Sequence, residues 1–175
     1  MKTLIIAATA LAALGFSTAA SAQSANGTVT VNGTVAAKCV IAPTGTITLG
    51  EMADIFGQYN LAADNKSATL NAFCNGTRST MTVLSSPIIL QSTIVVPAGF
   101  TNIVDFTGTA SVTPAGSGAA VSASDSTIAA ASAPAAVSLF SNDITVTLSA
   151  SSTNGNKLIA GAYQGSVVVT LAPAA

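Results

Sequence analysis

The chain has 175 residues and a formal net charge of −1, with five basic residues against six acidic ones, and it contains neither histidine nor tryptophan. Those absences remove histidine-based triads, histidine metal sites and the usual neutral-pH proton carrier. There is no basic run to attract nucleic acid, and beyond residue 22 no apolar stretch reaches the ~18 residues that a spanning helix needs.

Residues 1–22 are expected to be a secretory signal. Lys2 supplies a positive n-region, residues 4–16 an almost unbroken apolar h-region, and Ala20-Ser21-Ala22 a small-x-small cleavage site, so the mature chain begins at Gln23. Export permits a disulfide, and Cys39 and Cys74 are the only thiols, so a bridge between them is expected. A single cysteine pair offers half of a tetrahedral thiolate site, and neither a metal nor a cofactor is expected.

Residues 28–36 (TVTVNGTVA) alternate strictly, with Val29, Val31, Gly33 and Val35 on one parity and Thr28, Thr30, Asn32 and Thr34 on the other. That is the period of a strand with one buried face. A turn at Pro43-Thr44-Gly45 leads to a short extended piece, residues 46–49. Residues 51–66 read as a loop with one helical turn, and residues 67–74 alternate again, placing Cys74 on the core-facing parity. Asn75-Gly76 is a hairpin signal before a returning strand over 79–84, which Pro87 is expected to interrupt. Further strands are expected over 88–96, 103–106 and 108–113. Residues 114–136 are low in bulk and read mostly as a surface loop, with local order around Val121 and Ile128. Residues 136–141, 144–151 and 166–173 complete the set, the last with Val167, Val169 and Leu171 on one face. Short strands broken by Gly, Pro and Asn point to an all-β sandwich or barrel.

The remaining candidates for chemistry are carboxylates. Glu51, Asp54 and Asp64 lie close in sequence, but their spacing matches no EF-hand loop, and they read as solvated loop charges; Asp105, Asp125 and Asp143 are isolated. No enzyme is expected from this inventory. A secreted hydrolase would need two distant acids brought together in one pocket.

Four stretches, GTVTVNGTVAAKCVI (27–41), ITLG (47–50), ATLNAFCNGT (68–77) and AGAYQGSVVVTL (160–171), together resemble subunits of bacterial chaperone–usher pili. The similarity is to the archaic type, related to spore-coat-U-like secreted domains. It implies an immunoglobulin-like β-sandwich that lacks its last strand and receives one from a neighbouring subunit, a form of β-strand addition. Carried onto this chain, it implies a donor extension over residues 23–31 with Ala25, Gly27, Val29 and Val31 facing the acceptor, and a pilin-like domain over 32–175. Val167, Val169 and Leu171 would border the acceptor groove, and Cys39 and Cys74 match the disulfide positions. The implied partners are copies of the same subunit, a periplasmic chaperone and an outer-membrane usher. The implied destination is a fimbrium at the cell surface, with this chain as a shaft subunit. A soluble secreted matrix or binding protein is the competing expectation, with residues 28–36 as the first strand of a complete sandwich.

Overall fold

Runs of β-branched residues separated by turn-forming ones become twelve strands among the described residues of the computed structural model, which are 25–129 and 133–174. In chain order they are β1 (Cys39–Ile41), β2 (Ser67–Leu70), β3 (Ala72–Cys74), β4 (Thr80–Leu90), β5 (Phe100–Thr101), β6 (Ile103–Val112), β7 (Val121–Ser126), β8 (Ala135–Ala136), β9 (Phe140–Ser141), β10 (Ile144–Ser152), β11 (Lys157–Leu158) and β12 (Tyr163–Ala172). One short 3-10 turn, Leu61–Ala63, is capped by the Asn60 side chain, which accepts from the Ala62 N–H. The fold is all-β with several sheets, consistent with a β-sandwich. A seven-stranded sheet runs β12-β4-β6-β10-β2, with β7 added on β6 and β8 on β4; β1-β3-β9 form a second sheet and β11-β5 a small parallel pair.

Contacts divide the chain into an N-terminal unit ending at Thr34 and a body, Val35–Ala175. The expected signal segment, residues 1–22, lies outside the described residues. Residues 25–34 belong to no strand and are exposed throughout. The alternation over 28–36 is a strand pattern without a partner strand. Backbone groups with no ladder to join stay hydrated, whatever the side-chain parity favours.

The core follows from period 2. Val104, Phe106, Ala110 and Val112 point inward from β6, Ile144, Val146 and Leu148 from β10, and Met81 and Val83 from β4; all are buried. β4 is one strand through Pro87, not an interrupted one. Ser166 of β12 pairs with Ser86 and Gln164 with Ile89, so Pro87 and Ile88 together oppose Gly165 in a bulge. The bulge tolerates a residue without an N–H donor. It also flips the inward parity from Met81, Val83 and Ser85 to Ile88 and Leu90. Gly165 fits because any side chain there would strike the Ile88 backbone.

Four other expectations need correction. Asn75-Gly76 makes no hairpin, because β3 pairs with β1 and β9 whereas β4 pairs with β12, so the connection crosses between sheets. Asn75 instead fixes the start of β1: its Oδ1 accepts from the Lys38 N–H at 2.6 Å and its Nδ2 donates to the Ala36 carbonyl at 3.1 Å. The strand-prone run 88–96 stops at Leu90, where the ladder to β12 ends at Tyr163, leaving Val95 exposed. The pieces 103–106 and 108–113 are a single strand, β6, because Gly108 lies in its ladder instead of breaking it.

Residues 121–126, within a stretch read mostly as loop with local order around Val121, form a full strand, β7, and pair with β6 over six residues. The small side chains there suit a tight fit. Ala123 and Asp125 are buried, and the Asp125 carboxylate accepts from the Ser85 N–H of β4 at 2.6 Å while Ser85 Oγ donates to the Asp125 carbonyl at 3.1 Å. Gly108 of β6 leaves room for Ser85 and Val167 to come close. The substitution Asp125→Ala leaves the Ser85 N–H without its acceptor. It is expected to cost about 1–3 kcal/mol, read as a lower urea midpoint at unchanged slope.

Candidate functional site

The body carries a groove of about 1120 Å³ whose lining is more apolar than polar. One wall is β12. Among the described residues its only ladder partner is β4, so it is the edge strand of the large sheet. Consecutive residues Gly161–Val169 line the groove, which places the strand's backbone edge along it. That edge is a row of unpaired N–H and C=O groups, the usual template for another strand. The opposite wall is the segment 41–53, again lined by consecutive residues. Within it Ile47 and Leu49 are half-buried while Thr46, Thr48 and Gly50 are exposed. Residues 46–49 thus have the alternation of a strand and sit in no ladder among the described residues.

The floor between the walls is the core itself. Ile88, Phe106, Leu148 and Leu158 belong to one buried cluster and line the groove from below, with Val146 of the second cluster further along. Ile47 and Val167 pack against both clusters. The charged lining residue is Glu51, whose Oε1 accepts from the Ala53 N–H at 3.2 Å. The groove is long, apolar and lined by open backbone on both sides, features that suit an extended peptide with alternating small apolar side chains.

The expected groove-edge residues fall in two places. Val167 and Val169 line the groove; Leu171 lies beyond the lining, half-buried against the cluster that holds Val146. The expected donor residues Ala25, Gly27, Val29 and Val31 lie in the N-terminal unit, exposed, with Val29 at 85% and Val31 at 90%. A disulfide joins Cys39 and Cys74, which are directly paired across β1 and β3 with Cα atoms 4.2 Å apart. The floor residues were missed by sequence reasoning. The inward parity of 104–112 and 144–148 marks them as core, but nothing in the sequence says that one side of that core is open.

The groove's far end is held by Tyr163. Its hydroxyl donates to the Ile159 carbonyl at 2.8 Å, closing the turn that carries Gly161 against Leu90. This is the structural use of the Ala-Gly-x-Tyr stretch. The acids are each engaged locally. Asp54 accepts from the N–H groups of Phe56 and Gln58, Asp64 from the Tyr59 hydroxyl at 3.1 Å and the Ser151 N–H at 3.2 Å, and Asp105 from the Thr127 hydroxyl.

Burial pushes the Tyr59 phenol above its ordinary value, and the neighbouring Asp64 charge pushes the same way against a bond to Ser151. Burial also raises Tyr163, opposed by its backbone bond to Ile159. A raised folded value means that the protonated phenol is favoured in the fold. The stability it contributes is fully present below the unfolded value of about 10 and is lost as pH rises through the folded one. These are the only two tyrosines and there is no tryptophan, so an absorbance titration reads both. Ionisation is expected above the unfolded midpoint, accompanied by a falling urea midpoint.

Comparison with family models, with curated proteins and with solved structures returned no match for this chain.

Proposed function

We propose that this chain is a structural, shaft-forming subunit of an extracellular pilus or fimbria that polymerises by donor-strand complementation. In this reading the body is an immunoglobulin-like sandwich short of one strand. The observation that carries the reading is the groove: an open β12 edge on one side, a strand-patterned but unladdered segment at 46–49 on the other, and apolar core residues lining the space between them. The natural occupant is the N-terminal extension of another copy. Its Ala25, Gly27, Val29 and Val31 share one parity, so a single face of an inserted strand would meet Phe106 and Leu148 while its backbone bridged the two walls. The groove's lining favours this over a soluble binding function, because the open β12 edge along it matches the backbone of an added strand and Glu51 is its one charged lining residue among those described. A periplasmic chaperone and an outer-membrane usher are the partners such a route requires, since an exposed apolar edge must be covered until assembly.

The test is Val31→Asp. The side chain is exposed in the N-terminal unit, so the body's own stability is expected to be unchanged. In an inserted strand the carboxylate would enter the apolar groove, at a cost of several kcal/mol when unpaired. SDS-resistant ladders of wild-type protein should be lost or become short in the variant, with an unaltered urea midpoint for the monomer. Ladders of wild-type length from Val31→Asp protein would refute the reading.

A further inference from the structure

Asn-Gly-Thr-Val occurs twice near the start of the described chain, at residues 26–29 and 32–35, and every residue from 25 to 34 is exposed and outside any strand or turn. Two other Asn-Gly pairs lie in the body. Asn75 has its side-chain amide held at both ends, by the Lys38 N–H and the Ala36 carbonyl, and Gly76 is buried. Asn154 and Gly155 form a turn at φ of 54° and 79°, tied by the Asn154 N–H to Ser152 Oγ at 3.1 Å and by the Asn156 N–H to the Thr153 carbonyl at 3.0 Å.

We propose that Asn26-Gly27 and Asn32-Gly33 are self-modification sites at which the unassembled subunit loses its capacity to polymerise; the consequence for assembly rests on the donor-strand reading above. The chemistry needs only the chain and water. The glycine nitrogen attacks the asparagine Cγ, forming an N–Cγ bond. The Cγ–Nδ2 bond breaks, and the amide leaves as ammonia with the proton given up by the glycine N–H. Water then opens the cyclic imide at one carbonyl or the other, giving aspartate or isoaspartate. Glycine, with no Cβ, offers the least hindrance to that attack and the widest backbone range for reaching it. An exposed segment without ladder bonds samples that geometry freely, whereas the pinned Asn75 and the bonded turn at Asn154 do so only on local opening.

The position of the two sites gives the reaction its effect. Asn26 and Asn32 lie on the parity opposite Val29 and Val31, so a new carboxylate alone would face away from the groove. Isoaspartate, however, inserts an extra carbon into the main chain. That breaks the two-residue period on which one-sided insertion depends. An inserted strand is extended and hydrogen-bonded through its glycine N–H groups, and this arrangement withholds the nucleophile. Assembly therefore protects the segment, and delay consumes it.

The experiment ages purified mature subunit and assembled fibres side by side in mildly alkaline buffer and maps amide-to-acid conversion by peptide mass spectrometry. In the free subunit, Asn26 and Asn32 are expected to convert at least about tenfold faster than Asn75 and Asn154, the contrast set by local opening. Aged wild-type subunit should assemble poorly, whereas the variant Asn26→Gln/Asn32→Gln, which resists imide formation, should keep its capacity. Equal rates at all four pairs, or none at 26 and 32, would overturn the proposal. Equal conversion of Asn26, which lies within the donor extension, in fibres and free subunit would leave the modification standing and count against the donor-strand reading instead.

Discussion

Removing residues 23–31 is expected to abolish linear assembly while leaving a folded, exported body. The contacts of the body begin at Val35, and every buried core residue lies beyond it, from Ala63 to Leu158. What goes is a run of alternating apolar residues, including Val29 and Val31, that is exposed in the free chain. Covering side chains of that size is worth about 1.5–3 kcal/mol each, and the ladder bonds on both edges of an inserted strand add to it. The truncated protein should therefore run as a monomer in sheared surface material and retain a wild-type urea midpoint. It should also keep an empty groove, so a synthetic peptide of residues 23–36 added in trans should bind it and raise its melting temperature by mass action. Persistence of SDS-resistant ladders in the deletion variant would show that subunits join by another surface.

The parts of this fold legible in the sequence are those set by local periodicity. The alternation in 144–151 became β10, and that in 67–74 became β2 and β3 with Cys74 buried. The parts that were not legible depend on what each strand meets. Residues 28–36 alternate as cleanly as 144–151 and yet form no strand, because a period selects a face and cannot supply a partner. Residues 121–126 look too small to bury anything, and they form β7 because Ala123 joins the buried core cluster and the Asp125 carboxylate bonds to the Ser85 N–H. Pro87 reads as a break until its opposite number, Gly165, is known to absorb it in a bulge. The candidate site divides in the same way. Val167 and Val169 were visible as one face of a strand, whereas the groove beside them exists because two segments far apart in sequence, 41–53 and 161–169, line one space together with core residues such as Phe106 and Leu148.

The disulfide controls one of those walls, and the second large effect follows from it. β1 has three residues and pairs with β3 alone, and the wall segment hangs from its end at Ile41. Besides its ladder to β3 and the flanking backbone bonds from Ala42 N–H to Asn71 and from Asn75 N–H to Lys38, two side-chain devices hold β1 in place: the Asn75 amide at Ala36 and Lys38, and the Cys39–Cys74 bridge. The bridge closes a loop across a sequence separation of 35, which by chain entropy stabilises the fold by roughly 4 kcal/mol. That is comparable to the whole stability of many small domains, which is about 5–15 kcal/mol. The variant Cys39→Ser is therefore expected to lower the urea midpoint steeply and to reduce the folded subunit recovered after export. Wild-type protein treated with reductant should fall to the same midpoint, which separates loss of the bond from any effect of the serine. The loss should also reach function before global unfolding. With β1 untied, Ile47 and Leu49 are no longer held opposite Val167, and peptide 23–36 should bind the reduced body weakly under conditions where most of it is still folded. Two titratable thiols in denatured wild-type protein without reductant would remove the premise. An unchanged midpoint in Cys39→Ser would show that the β1–β3 ladder and the Asn75 contacts suffice to hold the wall.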